Sequence, residues 1–151
     1  MKSNYYAGLS SFLLCLTGLT GWSQTLPQFS SISRHTPTGV GSGAQHGNLI
    51  NVQGDRAFVT SPGWVSAGVL GAVHEYRLSG GNWSFQRTIT PPAGTATNSQ
   101  FGISTAHLGD WMVIGAPRDR RNSVNDAGAA FVYQQVSGAW TLRHTITAFN
   151  T

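Results

Sequence analysis

The densest run of chemistry-bearing side chains is Arg118-Asp119-Arg120-Arg121-Asn122-Ser123-Val124-Asn125-Asp126-Ala127, the one charge cluster in the chain. Guanidinium groups are planar forks that match a carboxylate, a sulfate or the acidic groups of a glycan. Arg118, Asp119, Arg120, Arg121, Asn125 and Asp126 are therefore the candidate ligand-facing residues. The competing reading of the same run is a solvated loop held together by Arg–Asp pairs. A well-known kind of calcium loop alternates its acids, as in Asp-x-Asp-x-Asp-Gly. Asp119, Asn122, Asn125 and Asp126 do not keep that spacing, so neither calcium nor any other cofactor is expected.

The residues that serve catalysis are spread thinly. His35, His46, His74, His107 and His144 form no His-x-x-x-His pair and have no acid-rich neighbours. His74 and His144 fall inside expected strands, where a packed or surface imidazole is the ordinary case. Asp55 and Asp110 sit in equivalent turns, which argues against a general acid/base pair. The single cysteine, Cys15, lies in the leader described next, so the remainder has no disulfide, thiol nucleophile or cysteine-based zinc site. An enzyme is not expected. Asn82-Trp83-Ser84 matches the N-glycosylation acceptor pattern, relevant only to a eukaryotic secretory route.

Residues 1–23 read as a secretory signal peptide. Lys2 supplies the positive start, Ala7 to Gly21 the apolar stretch, and Gly21-Trp22-Ser23 the small residues before a cut at Gln24. That stretch is shorter than the ~20 residues that span a bilayer. The expected product is secreted, extracellular or on the cell surface, with no membrane association once the leader is removed. Of the 151 residues, 9% are charged, well below the roughly 25% of an average soluble domain, while 40% are hydrophobic and 19 are glycine. This composition excludes a disordered polyelectrolyte and a coiled coil, and suits a β-rich extracellular module. The net charge of +4 is small and scattered, so no nucleic-acid partner is expected.

The chain repeats itself. A shift of 55 residues lays His46–Pro62 over Phe101–Pro117, matching Gly47 with Gly102, Gly54-Asp55 with Gly109-Asp110, and Pro62 with Pro117. After a connection two residues longer in the second copy, Gly71-Ala72 meets Gly128-Ala129 and Tyr76 meets Tyr133. Trp83 meets Trp140, and Thr88-Ile89-Thr90 meets Thr145-Ile146-Thr147. In the second copy, β-branched and aromatic runs at 103–108, 111–116, 129–135 and 140–147 alternate with Gly, Asp, Asn and Pro, the pattern of four short strands. Tandem four-stranded units of this length indicate an all-β fold of propeller blades, antiparallel meanders whose apolar faces neighbouring blades cover. The expected organisation is a leader at 1–23 and a segment at 24–45 whose Ser30–Pro37 ends a partial blade strand. Blades follow at 46–100 and 101–151.

Phe101-Gly102-Ile103-Ser104, Gly109-Asp110, Val113-Ile114-Gly115-Ala116-Pro117 and Gly128-Ala129-Ala130-Phe131-Val132-Tyr133 resemble an FG-GAP repeat. This is the blade unit of the integrin α-chain head and of many secreted bacterial proteins, and the likeness is nearest to the bacterial kind. The first copy departs from the pattern, with His46 in place of the Phe and Thr60-Ser61-Pro62 in place of Gly-Ala-Pro. Residues alone assign structural roles. Gly109 and Asp110 make a tight hairpin, as do Gly54 and Asp55. Gly115 and Ala116 permit close approach, and Trp83, Trp140, Tyr76, Tyr133 and Phe131 fill the space between blades.

A meander puts the 1–2 and 3–4 turns on one side and the 2–3 and 4–1 connections on the other. The first set is short; the second, at 63–70, 91–100 and 118–127, is long, and loop length concentrates where binding does. Binding from the long-loop face is also what the resemblance implies. Two blades cannot close a ring, because propellers are built from about four to eight. Thr151 falls where a third Phe-Gly start is due, so the expected partners are further blades, downstream or from self-association. An extracellular protein or glycan is the expected ligand. The leading function is a non-enzymatic recognition or adhesion module; the alternatives are an accessory propeller segment of a secreted hydrolase and a purely structural repeat.

Overall fold

The structure, a computed structural model, describes residues 37, 40–66, 69–121 and 123–148. The expected signal peptide and all of the expected strand end at Ser30–Pro37 except Pro37 lie outside the described residues. Eight strands follow one another: β1 (Ile50–Gln53), β2 (Arg56–Ser66), β3 (Val69–Ser79), β4 (Asn82–Ile89), β5 (Ser104–Leu108), β6 (Trp111–Ala116), β7 (Ala129–Val136) and β8 (Ala139–Thr147). They form two four-stranded antiparallel meanders, β1-β2-β3-β4 and β5-β6-β7-β8. No helix occurs among the described residues.

Sequence identity between the copies becomes structural identity at several points. Gly54 and Gly109 open the first turn of each sheet at φ +59° and +58°. The following aspartates each accept a main-chain bond at 2.8 Å, Asp55 from Leu78 and Asp110 from Gln135. Even the irregularity repeats. β3 and β4 slip register between Glu75 and Tyr76, and β7 and β8 slip between Val132 and Tyr133, the aligned positions. A bulge costs ladder pairing and twists the strand, so its recurrence marks a feature of the unit.

The sheets pack face to face. Phe58, Val73 and Ile89 from the first sheet meet Met112, Ile114, Ala116, Phe131 and Tyr133 from the second, with Phe101 at the joint and Trp140 and Ala129 against the cluster. One carboxylate is buried in this contact. Glu75 is 1% exposed, takes the Trp140 indole N–H at 3.0 Å and lies 3.0 Å from Nε of Arg87. A buried charge is tolerable only when paired in this way. Of the expected inter-blade fillers, Phe131, Tyr133 and Trp140 lie in the interface and Trp83 is half-buried outside it. Tyr76 is buried but not in this interface. Val73 and Glu75 face the second sheet, so strand alternation sends His74 and Tyr76 to the opposite face.

The long loop expected at 63–70 is a correction. β2 and β3 pair again beyond a register shift, Val65 with Leu70 and Ser66 with Val69, so these strands form one extended hairpin. Buried Trp64 packs with Ala44 and Ala72, and burial of an indole outweighs the breaking tendency of Gly63. Only the second copy keeps an open connection between its second and third strands.

Where the copies join, the backbones nearly touch. Gly71 and Phe101 form a parallel bridge. A Cβ on Gly71 would lie 2.1 Å from the Phe101 carbonyl oxygen, and one on Gly102 2.9 Å from that of Ala72. The Phe-Gly pair thus hooks the start of the second unit over the first sheet.

Candidate functional site

The connection between β6 and β7 is built around an acid that points inward. Asp119 is fully buried; its Oδ1 accepts the Ala96 N–H at 2.7 Å, and its Oδ2 pairs with Arg121 Nη2 at 2.5 Å. Its main chain is tied on both sides, donating to Ala116 at 3.1 Å and accepting from Gly128 at 2.9 Å. Arg121 is committed as well: its guanidinium lies 5.4 Å from the centre of the Phe131 ring, and its main chain exchanges two hydrogen bonds with Val124. Asp119 and Arg121 therefore anchor the loop, which corrects their assignment as ligand-facing.

The remaining candidates converge. Arg118, Arg120, Asn125 and Asp126 line one side of a depression of about 400 Å³, and Ala96, Thr97 and Asn98 line the other. Arg118 is 3.4 Å from Asp126, a half-exposed pair of little energetic weight. Arg120 is exposed and has no ion-pair partner among the described residues. The two connections are coupled, because Arg118 donates its main-chain N–H to Ser99 at 3.2 Å and Asp119 holds Ala96. The sequence marked 91–100 as a long connection but gave no reason to single out Thr97 or Asn98. Only the fold brings them opposite the arginines.

The motif residues occupy structural places. Phe101, Gly102 and Ala116 are buried, as is Pro62, whereas Pro117 is exposed at the start of the loop. A Cβ on Gly115 would meet Ser104 Oγ at 2.3 Å. At the opposite, short-turn end, Asp55 pairs with Arg77 at 2.6 Å, which holds its carboxyl below the usual range. Asp110 lies 3.8 Å from Arg56. Among the described residues no three His, Cys, Asp or Glu side chains gather in a metal-binding group. The histidines are not all apart, however: His46 and His74 meet on Ser61.

Two repeated, stacked, four-stranded meanders with a cleft between the connections at one end define a propeller-type repeat protein. The repeat is of a known kind. Residues 83–133 match the FG-GAP repeat, so the chain carries an FG-GAP repeat, a non-catalytic propeller-type unit. The matched segment begins on β4 of the first sheet and ends in β7 of the second, spanning the joint. No curated protein matches the chain.

Proposed function

We infer that the chain is an exported, non-enzymatic recognition module that binds an acidic group in the cleft between residues 96–98 and 118–126. The observation that carries this reading is the exposed, unpaired Arg120 beside Arg118 in a cleft with the amide side chains Asn98 and Asn125. Two guanidinium forks with neutral amide donors suit a carboxylate or sulfate group, as on an extracellular glycan or an acidic protein segment. Sulfated heparin fragments are a suitable probe. Arg118→Ser with Arg120→Ser is expected to weaken their binding at least tenfold, with unfolding unchanged, because neither arginine carries the loop. Unchanged heparin affinity in a folded double variant overturns the reading.

A second surface favours a partner for the same module. The outer face of the second sheet exposes Leu108, Trp111, Val113, Val136 and Ile146, and apolar side chains gathered on one face mark an interaction surface. Val113, Ala130 and Ile146 align with Phe58, Val73 and Ile89, the first-sheet residues that pack on the second sheet. The reading is that another blade of the same kind covers this face, supplied downstream or by self-association. Light scattering on residues 24–151 is expected to show association. A compact, cooperatively folding monomer contradicts it.

A further inference from the structure

The two copies differ in character at one buried spot. In the second copy Phe101 and Phe131 pack as a tilted pair with centroids 5.6 Å apart at 53°, beside buried Ala116. The internal alignment places His46 at Phe101, His74 at Phe131 and Ser61 at Ala116. Three apolar positions of one unit are thus three polar positions of the other. The ring pair survives the exchange, with His46 and His74 centroids 5.0 Å apart at 68°.

The polar version is fully wired. Ser61 Oγ lies 2.7 Å from His46 Nδ1 and 3.0 Å from His74 Nε2, and His74 Nδ1 lies 3.0 Å from Thr88 Oγ1. The segment bearing His46 is held to β2 by main-chain bonds from Gly47 to Thr60 and from Thr60 to Leu49, both 2.9 Å. The second copy keeps the equivalent of the first, from Gly102 to Gly115, at 3.0 Å.

A hydroxyl donates once and accepts twice. With both imidazoles neutral, the row His46–Ser61–His74–Thr88 is satisfied running in either direction. With both protonated, ring N–H groups point at Ser61 from both sides, its own proton has no acceptor, and two cations face each other. Nothing among the described residues offsets that charge. Trp64 and Phe85 are the other rings against His74, and Tyr76 is the remaining titratable group on that face of β3. Glu75 faces the other way, onto Arg87 and Trp140.

We propose that His46, Ser61 and His74 form an acid-released clasp that holds residues 44–49 on the first sheet at neutral pH and lets them go as the surroundings acidify. Burial lowers the affinity of His46 for a proton; burial, and then the charge of His46, push His74 down to about 4. The open form therefore binds more protons than the closed form below about pH 6.5. Closure is complete above that value and weakens as pH falls toward 4, by up to about tenfold per unit for each ring. The second copy has phenylalanines in the same places, so the equivalent contact at Gly102 holds no imidazole pair to protonate; its half-buried histidine, His107, lies elsewhere on β5.

Hydrogen exchange on the full chain tests this within one molecule. Protection factors of the Gly47 and Gly102 amides, corrected for intrinsic exchange, are followed from pH 7.5 to 4.5. Gly47 is expected to lose at least about tenfold of its protection below pH 6.5 while Gly102 changes by less than about threefold. Parallel behaviour of the two amides overturns the clasp. Transplanting the second copy's residues, as His46→Phe, Ser61→Ala and His74→Phe, is expected to flatten the Gly47 profile. Should that variant not fold, imidazole titration by NMR in the native chain decides: midpoints well below 6.5 support the clasp, and ordinary midpoints refute it.

Discussion

Phe101→Ala is expected to cost about 3–5 kcal/mol of folding stability, the range for deleting a fully buried phenylalanine. The ring is completely buried, packs at a tilt against Phe131 and belongs to the cluster that both sheets contribute to. Its own backbone bridges to Gly71 of the first sheet. Collapse into the cavity is therefore opposed from two directions, which favours the upper end of the range. Urea unfolding measures the loss. A change below about 1 kcal/mol would mean that Phe101 is not the joint between the units.

Gly71→Ala is the second large effect, expected at about 2–5 kcal/mol from an unfavourable backbone region and steric overlap together. Gly71 sits at φ +107°, and its added Cβ would overlap the Phe101 carbonyl at 2.1 Å. The atom in the way is main chain on an adjoining unit, so no rotamer change relieves it. Gly109→Ala supplies the control. That residue has φ +58° with open space around it, so only the left-handed backbone cost of about 1–2 kcal/mol applies. Equal losses at both sites would remove the argument that the units interlock at Gly71.

Much of this architecture could be read from the residues. Glycine-aspartate turns and β-branched runs placed the strands of the second copy within a residue or two of their observed ends. Internal repetition fixed the all-β blade pattern. The 63–70 connection failed because strand continuation there depends on Trp64 finding Ala44 and Ala72, partners that local composition does not announce. At the cleft, the arginines were visible as a charge cluster, but which of them are free was not. Asp119 and Arg121 look like their neighbours in sequence and differ only because Ala96 and Phe131 arrive from other elements. Glu75 gave no signal either, since its burial depends on Arg87 and Trp140 arriving from other strands. The His46–His74 pair was legible in principle: aligning the copies sets both histidines against phenylalanines that touch. Scattered spacing along the chain concealed that they meet.

The central claim is that the two repeated sheets stack face to face with Phe58 of the first against Trp140 of the second, ring centroids 5.7 Å apart. NMR of the chain tests it most directly through a nuclear Overhauser contact between the Phe58 ring and the Trp140 indole. Stacked sheets predict that cross-peak. Its absence, with both rings assigned and each showing contacts only within its own sheet, would contradict the account.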